Sequence, residues 1–151
     1  MFWLADLFSN PFLITSTLAW LVAQVLKVII NACINRKLDW ERLFGDGGMP
    51  SGHSATVSSL ATITGLLCGL RSYEFGISAI LAIIVCHDAM GVRRETGIQA
   101  KVLNEMLLIF EDMGKEELSA QDKLKEFVGH TPLQVLAGAF LGVTIAVLMC
   151  S

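Results

Sequence analysis

Two histidines stand at the starts of apolar stretches in this chain of 151 residues. His53 ends the run Pro50-Ser51-Gly52-His53, and His130 comes just before a later apolar stretch. Ser51 is a good helix N-cap, so we expect a helix to begin at Gly52 or His53 and to present backbone N–H groups to an anion. An imidazole at such a position can attack an electrophile or transfer a proton.

A lysine lies within the first long apolar stretch. Gln24, Lys27 and Asn31 are spaced i, i+3, i+7, which places them on one face of a helix. A lysine at this depth either faces a wet protein interior or extends its side chain to the membrane interface. The polar face around Lys27 favours the interior.

Further cations stand near the ends of apolar stretches, at Arg36, Arg93 and Arg94. Cations hold phosphate oxygens and stabilise the charge of a phosphoryl-transfer transition state. Of two nearby imidazoles, one can attack phosphorus while the other protonates the leaving oxygen. The set of residues therefore suits phosphoryl transfer, and this chemistry requires no metal or other cofactor.

The composition indicates an integral membrane protein with a single domain over residues 1–151. Apolar residues make up 54% of the chain, and only 17% are charged, against about 25% in soluble domains. A net charge of −3, without a basic stripe of interleaved aromatic residues, argues against nucleic-acid binding. The four cysteines form no C-x-x-C pair and are expected to be buried hydrophobes.

We predict an all-α membrane bundle with four transmembrane helices. The spans are expected at 11–34, 54–70, 75–90 and 131–150. The polar insertion 91–129 contains two helical patterns, over 95–112 and from Ser119 onward, that are too charged to span and predict two surface helices. Gly138 and Gly142 predict a small-residue packing face, and such faces suit a homo-oligomer.

Four spans place residues 35–50 and 91–129 on the same side of the membrane. Of the 11 lysines and arginines, all but Lys27 and Arg71 fall in these two regions. The positive-inside rule therefore puts the Pro-Ser-Gly-His loop on the cytoplasmic face of the cell membrane.

These motifs resemble those of the phosphatidic acid phosphatase type 2 superfamily, which includes the vanadium haloperoxidases, and in particular its divergent members. Pro50-Ser51-Gly52-His53 matches the second motif of that family without a break. The segment from Gly129 to Gly138 matches the second half of the third motif, with proline two residues and glycine eight residues after the histidine. The resemblance covers most of residues 20–145 and implies that the four spans form the helical core of that family.

The resemblance also implies residue roles. His130 would be the nucleophile that forms a phosphohistidine, and His53 would be the general acid. Phosphate would be bound by Lys27, Arg36, Ser51, Gly52 and one of Arg93 or Arg94. The implied function is a metal-independent membrane phosphatase that hydrolyses a lipid phosphate or a prenyl (di)phosphate.

The chain departs from the family pattern at three places. Gln134 stands where the family has the aspartate that orients the nucleophile, and we predict that Asp88 supplies the missing carboxylate. A long insertion separates Arg94 from His130. The spacing of Lys27 and Arg36 would put them on opposite faces of a continuous helix. Either the helix ends or distorts before Arg36, or Asn35 or Lys37 takes its place.

Two other interpretations stay open. The chain could be a non-catalytic membrane protein of the same fold that binds phospholipid headgroups or partner proteins, and Gln134 is the best support for this. A metal-dependent site at His87, Asp88 and Glu95 is the weaker alternative. His87 also suits a structural or interface role, and Asp88 also suits an ion pair with Arg93 or Arg94.

Overall fold

The computed structural model describes residues 2–36, 48–112, 124 and 129–151. This part of the chain is helical and contains no strand, which confirms the predicted all-α class. Its helices are α1 (Phe2–Phe8), α2 (Pro11–Asn35), α3 (Gly52–Cys68), α4 (Tyr73–Met90), α5 (Val92–Asp112) and α6 (Pro132–Cys150). The four predicted spans correspond to α2, α3, α4 and α6, with ends shifted by a few residues at most.

Short polar side chains fix the starts of the long helices. The Oδ1 of Asn10 accepts a hydrogen bond from the N–H of Phe12 at 3.0 Å at the start of α2. Ser72 caps α4 in the same way. Thr131 and Gln134 form a capping box at the start of α6. Each cap satisfies N–H groups that the first helical turn leaves without a partner.

The centre of the bundle is α3, which packs against α2, α4 and α6. Gly138 and Gly142 let α6 approach α3 closely, because a Cβ atom at either position would collide with a backbone carbonyl oxygen of α3's first turns, that of Ser51 or Ala55. The predicted small-residue face is therefore used within the chain. It is not available to a second copy, and the homo-oligomer stays a prediction that rests on other surfaces.

Three segments are long and apolar enough to cross a membrane: Pro11–Cys33, Tyr73–Ile109 and Pro132–Cys150. Large aliphatic side chains are exposed on their outer faces, such as Val25 on α2 and Ile83 on α4. The 17 residues of α3 match the lower limit of about 17 for a span. The fourth span, formed by α3, stays a prediction.

The segment predicted to form the first surface helix is helical and forms α5, which packs on α4. Its position at the membrane surface stays a prediction, since the apolar segment Tyr73–Ile109 includes most of this helix. Among the α5 residues whose burial is described, the buried ones are Gly97, Ala100 and Asn104, spaced i, i+3, i+7. The larger apolar residues that mark the helical pattern, such as Ile98 and Met106, are exposed instead. The second predicted surface helix, from Ser119 onward, lies outside the described residues.

The contact between α3 and α6 leads to a prediction about the stability of the protein. We expect Gly142→Ala to lower the free energy of unfolding by about 1–3 kcal/mol, because the added methyl group overpacks a backbone contact. The measurement is the melting temperature in detergent.

The matched control is Gly76→Ala in α4, where nothing in the described part of the chain lies within 4 Å of the added Cβ. This variant should gain about 0.5–1 kcal/mol from its better helix propensity. Equal effects of the two substitutions would contradict the close approach of α6 to α3.

Candidate functional site

The starts of α3 and α6 meet, and their contact brings two histidines together. The ring centroids of His53 and His130 lie 6.0 Å apart, with an angle of 61° between the ring planes. His130 is only 2% exposed, while His53 is half-buried. The two rings therefore lie close together at the start of α3, and His53 is the more exposed of the two.

Two backbone hydrogen bonds hold this arrangement. The N–H of Ser51 donates to the carbonyl of Gln134 at 3.0 Å, and the N–H of His130 donates to the carbonyl of Ala89 at 2.9 Å. The first bond joins the start of α3 to α6, and the second joins the segment before α6 to the end of α4. The main chain of three helices thus sets the position of His130.

Gln134 orients the ring of His130. The Nδ1 of His130 lies 3.3 Å from the Oε1 of Gln134, and the same oxygen accepts from the N–H of Thr131 at 2.9 Å. Because a backbone N–H only donates, the atom that faces both groups must be the amide oxygen. An amide oxygen only accepts, so the neutral ring bonds to it with the proton on Nδ1. This tautomer places the lone pair of the ring on Nε2.

The N-terminus of α3 lies deep in the bundle. Ser51 is fully buried, and its Oγ accepts from the N–H of Ser54 at 3.4 Å. A Cβ atom at Gly52 would lie 3.4 Å from the Cδ1 of Trp20 and 3.8 Å from the Oε1 of Gln24. The positive end of the helix dipole is therefore level with the middle of α2, beside its polar face.

The polar face of α2 is buried, since Gln24, Lys27 and Asn31 are 7%, 4% and 8% exposed. The aliphatic part of the Lys27 side chain passes close to Gly48. A Cβ atom added at Gly48 would lie 3.1 Å from the Cγ of Lys27. Gly48 has a φ of 91°, a conformation that side chains disfavour. Lys27 thus lies in the protein interior, as the polar face predicted, rather than reaching the membrane interface.

Gln24 is a further candidate site residue, beyond those that match the family motifs. Its Oε1 is buried and has no hydrogen-bond partner among the described residues, although it lies close to the start of α3. Buried polar atoms are nearly always paired in native proteins, so this oxygen suits a partner such as a water molecule or a bound ligand. The signal in the sequence was a glutamine within an apolar stretch, one turn before Lys27.

The remaining predicted residues lie at helix ends. Arg36 is exposed and ends α2 in a left-handed conformation with a φ of 52°, so the helix does end before this arginine. Lys37 lies outside the described residues. Asp88 is half-buried in the last turn of α4, next to the residue whose carbonyl holds His130. Arg93 and Arg94 follow in the first turn of α5.

The metal alternative has no geometric support. His87, Asp88 and Glu95 do not come together as a ligand set, and neither do any other three histidine, cysteine, aspartate or glutamate residues within the described ranges.

Comparison with known proteins gives a consistent family assignment. A model of the Divergent PAP2 family matches residues 8–145. The chain is 41% identical, over 95% of its length and 96% of the relative's, to the uncharacterized membrane protein YuiD of Bacillus subtilis strain 168. No solved structure matches the chain.

The contact between Gln134 and His130 can be tested by NMR. In Gln134→Leu we expect the neutral His130 ring to shift its proton from Nδ1 toward Nε2, because the acceptor beside Nδ1 is removed. The ¹⁵N chemical shifts of the ring nitrogens report the two tautomers.

Thr131→Val is the matched control, since it removes the hydroxyl cap of α6 and keeps the amide of Gln134. It should lower the free energy of unfolding by about 1 kcal/mol and leave the tautomer of His130 unchanged. A wild-type ring with its proton on Nε2 would contradict the assigned hydrogen bond.

Proposed function

This chain belongs to the Divergent PAP2 family, and on that premise we propose that it is a membrane phosphatase that hydrolyses a lipid phosphate or a prenyl (di)phosphate. The observation that carries the proposal is the proximity of His53 to the buried His130 beside the N-terminus of α3, with their ring centroids 6.0 Å apart. Two imidazoles next to an anion-binding helix start provide a nucleophile and a proton donor for one phosphoryl group.

In the first step, the Nε2 of His130 attacks phosphorus and the bond from phosphorus to the lipid oxygen breaks. His53, as the imidazolium, transfers its proton to that leaving oxygen, so the lipid departs as an alcohol or, from a diphosphate, as a monophosphate. The products of the step are a phosphohistidine at residue 130 and a neutral His53. A well-placed general acid contributes about 10²–10⁴ to the rate of such a step.

In the second step, water attacks the phosphohistidine. Neutral His53 accepts a proton from this water, the bond from phosphorus to Nε2 breaks, and inorganic phosphate leaves. His130 returns to its neutral form and His53 to its protonated form, so the cycle closes without another reactant.

The phosphate oxygens carry the charge that the site must stabilise. We assign this role to the hydroxyl of Ser51, whose N–H is already bonded to the carbonyl of Gln134, and to the N–H of Gly52. The cations Lys27, Arg36 and one of Arg93 or Arg94 complete the set. Gln134 holds the ring of His130 but brings no negative charge. We therefore assign to Asp88, next to the residue that anchors His130, the stabilisation of the positive charge that forms on the attacking imidazole.

A second candidate function is binding without catalysis. The neutral Gln134 in place of a carboxylate favours it, because the imidazolium then loses its usual counter-charge. Such a protein would bind phospholipid headgroups or partner proteins through the same cations and helix start.

His130→Ala tests the nucleophile. We expect phosphate release from lipid and prenyl phosphates to fall by at least about 10³, because the covalent step is lost. The measurement is the release of inorganic phosphate by the purified protein from a panel of such substrates.

His87→Ala is the control, since this histidine is exposed in the last turn of α4 and has no role in the proposed steps. It should keep wild-type activity. Wild-type activity in His130→Ala would refute the nucleophile, while phosphate binding without turnover by the wild-type protein would favour the second candidate.

The proposed cytoplasmic orientation of the site can be tested by cysteine labelling. In a variant without the native cysteines, we expect Arg36→Cys to be protected from a membrane-impermeant maleimide in intact cells, and Arg71→Cys to react. Both residues are exposed and lie on opposite sides of a four-span topology. Inverted membrane vesicles should reverse the result, and labelling of Arg36→Cys in intact cells would place the site outside.

A further inference from the structure

An apolar groove of about 290 Å³ runs between α2 and α6, beside the loop that precedes α3. One wall is formed by Leu26 and Ile30 of α2, and the opposite wall by Ala137 and Phe140 of α6. Met49 and Pro50, from the loop that leads to Ser51, also line the groove.

The groove and the candidate phosphate site are joined by the short loop that precedes α3. Pro50 lines the groove and is bonded directly to Ser51, the N-cap of α3. In the same short loop, Gly48 packs on the side chain of Lys27, which lies between Leu26 and Ile30 along α2. Residues of this loop and of α2 thus take part in both the groove and the candidate phosphate site.

The lining offers almost nothing polar to a ligand. Thr144 also lines the groove, but its hydroxyl already donates to the carbonyl of Phe140 at 2.8 Å. Polar groups that enter such a space without a partner lose their hydration and gain nothing in return. The chemistry of the groove thus favours hydrocarbon that begins at the carbon next to the phosphate.

The volume of the groove also limits its occupant. Small-ligand sites usually measure about 300–1,000 Å³, so this groove is at the small end of that range. It suits one chain rather than two.

We propose that the groove binds the single hydrocarbon chain of a prenyl or long-chain alkyl phosphate and selects it over a diacylglycerol phosphate. This inference rests on the proposed phosphatase function. A diacylglycerol phosphate carries ester carbonyls and a branch close to the phosphate, and both would have to enter the apolar groove or displace the phosphate.

The test compares three substrates in the same detergent: farnesyl phosphate, dioleoyl phosphatidic acid and the small soluble p-nitrophenyl phosphate. The wild-type protein should hydrolyse farnesyl phosphate with a kcat/KM at least tenfold above that for phosphatidic acid. Ala137→Leu fills the groove and should lower kcat/KM for farnesyl phosphate at least tenfold, with p-nitrophenyl phosphate hydrolysis retained.

The matched control is Ala139→Leu, also on α6 but outside the groove, which should leave all three activities within twofold of wild type. Phe140→Ala provides a second variant, in which one wall is removed and nothing is inserted. It should also lower kcat/KM for farnesyl phosphate more than for the other two substrates. Equal losses in Ala137→Leu and Ala139→Leu, or a preference for phosphatidic acid, would overturn the groove assignment.

Binding is measured separately with a diazirine analogue of farnesyl phosphate, and the crosslinked residues are identified by mass spectrometry. Crosslinks at Met49 or Phe140 that Ala137→Leu removes would support the groove even if no substrate were hydrolysed, in which case only the phosphatase proposal fails. Crosslinks spread over the outer face of α4, which does not line the groove, would show ordinary lipid contact and refute the groove.

Discussion

The close approach of α6 to α3 is the contact on which the rest of this structure depends. At Gly138 the backbone of α6 meets the carbonyl oxygen of Ser51, with no room for a side chain between them. This distance lets the N–H of Ser51 reach the carbonyl of Gln134 and brings the ring of His53 beside that of His130. A larger residue at position 138 would separate two helices and, with them, the two groups that the proposed chemistry requires to act on one phosphorus atom. In membranes, where no hydrophobic effect drives helices together, such small-residue contacts supply much of the packing energy.

Much of the helical framework could be predicted from the sequence because its signals are local. Asn10, Ser72 and Thr131 each precede an apolar run and cap the helix that follows. The spacing of Gln24, Lys27 and Asn31 similarly predicted a face that is now found buried. What could not be predicted is which segments of the chain pack against one another. The periodicity of α5 showed that apolar residues share a face, but only the fold reveals that Gly97, Ala100 and Asn104 are buried instead. The packing of Gly48 on Lys27 likewise joins segments whose proximity no local pattern encodes.

Gln134 illustrates how a departure from a motif can keep geometry while it changes charge. Its amide oxygen accepts from both the backbone of Thr131 and the ring of His130, so it caps the helix and orients the imidazole at once. A carboxylate could make the same two contacts, but it would also attract the proton and stabilise the imidazolium. The sequence identified the loss of charge correctly. The spacing of Thr131 and Gln134 before an apolar run is also that of a capping box, and the structure shows that the same side chain fills both roles.

The depth of the start of α3 has a consequence for how a substrate would arrive. Gly52 packs against Trp20 and Gln24, whereas α2 continues to Asn35, so at a rise of 1.5 Å per residue the start of α3 lies about 16 Å below the end of α2. A phosphorylated lipid could therefore reach the histidines by lateral diffusion within its own leaflet. Drawing its chain into water instead would cost about 0.8 kcal/mol for each methylene group exposed. In the proposed reaction, the reactant that has to travel is water, which must reach the start of α3 from the aqueous side to release the phosphate. The access of water to this buried helix start would then determine the turnover rate.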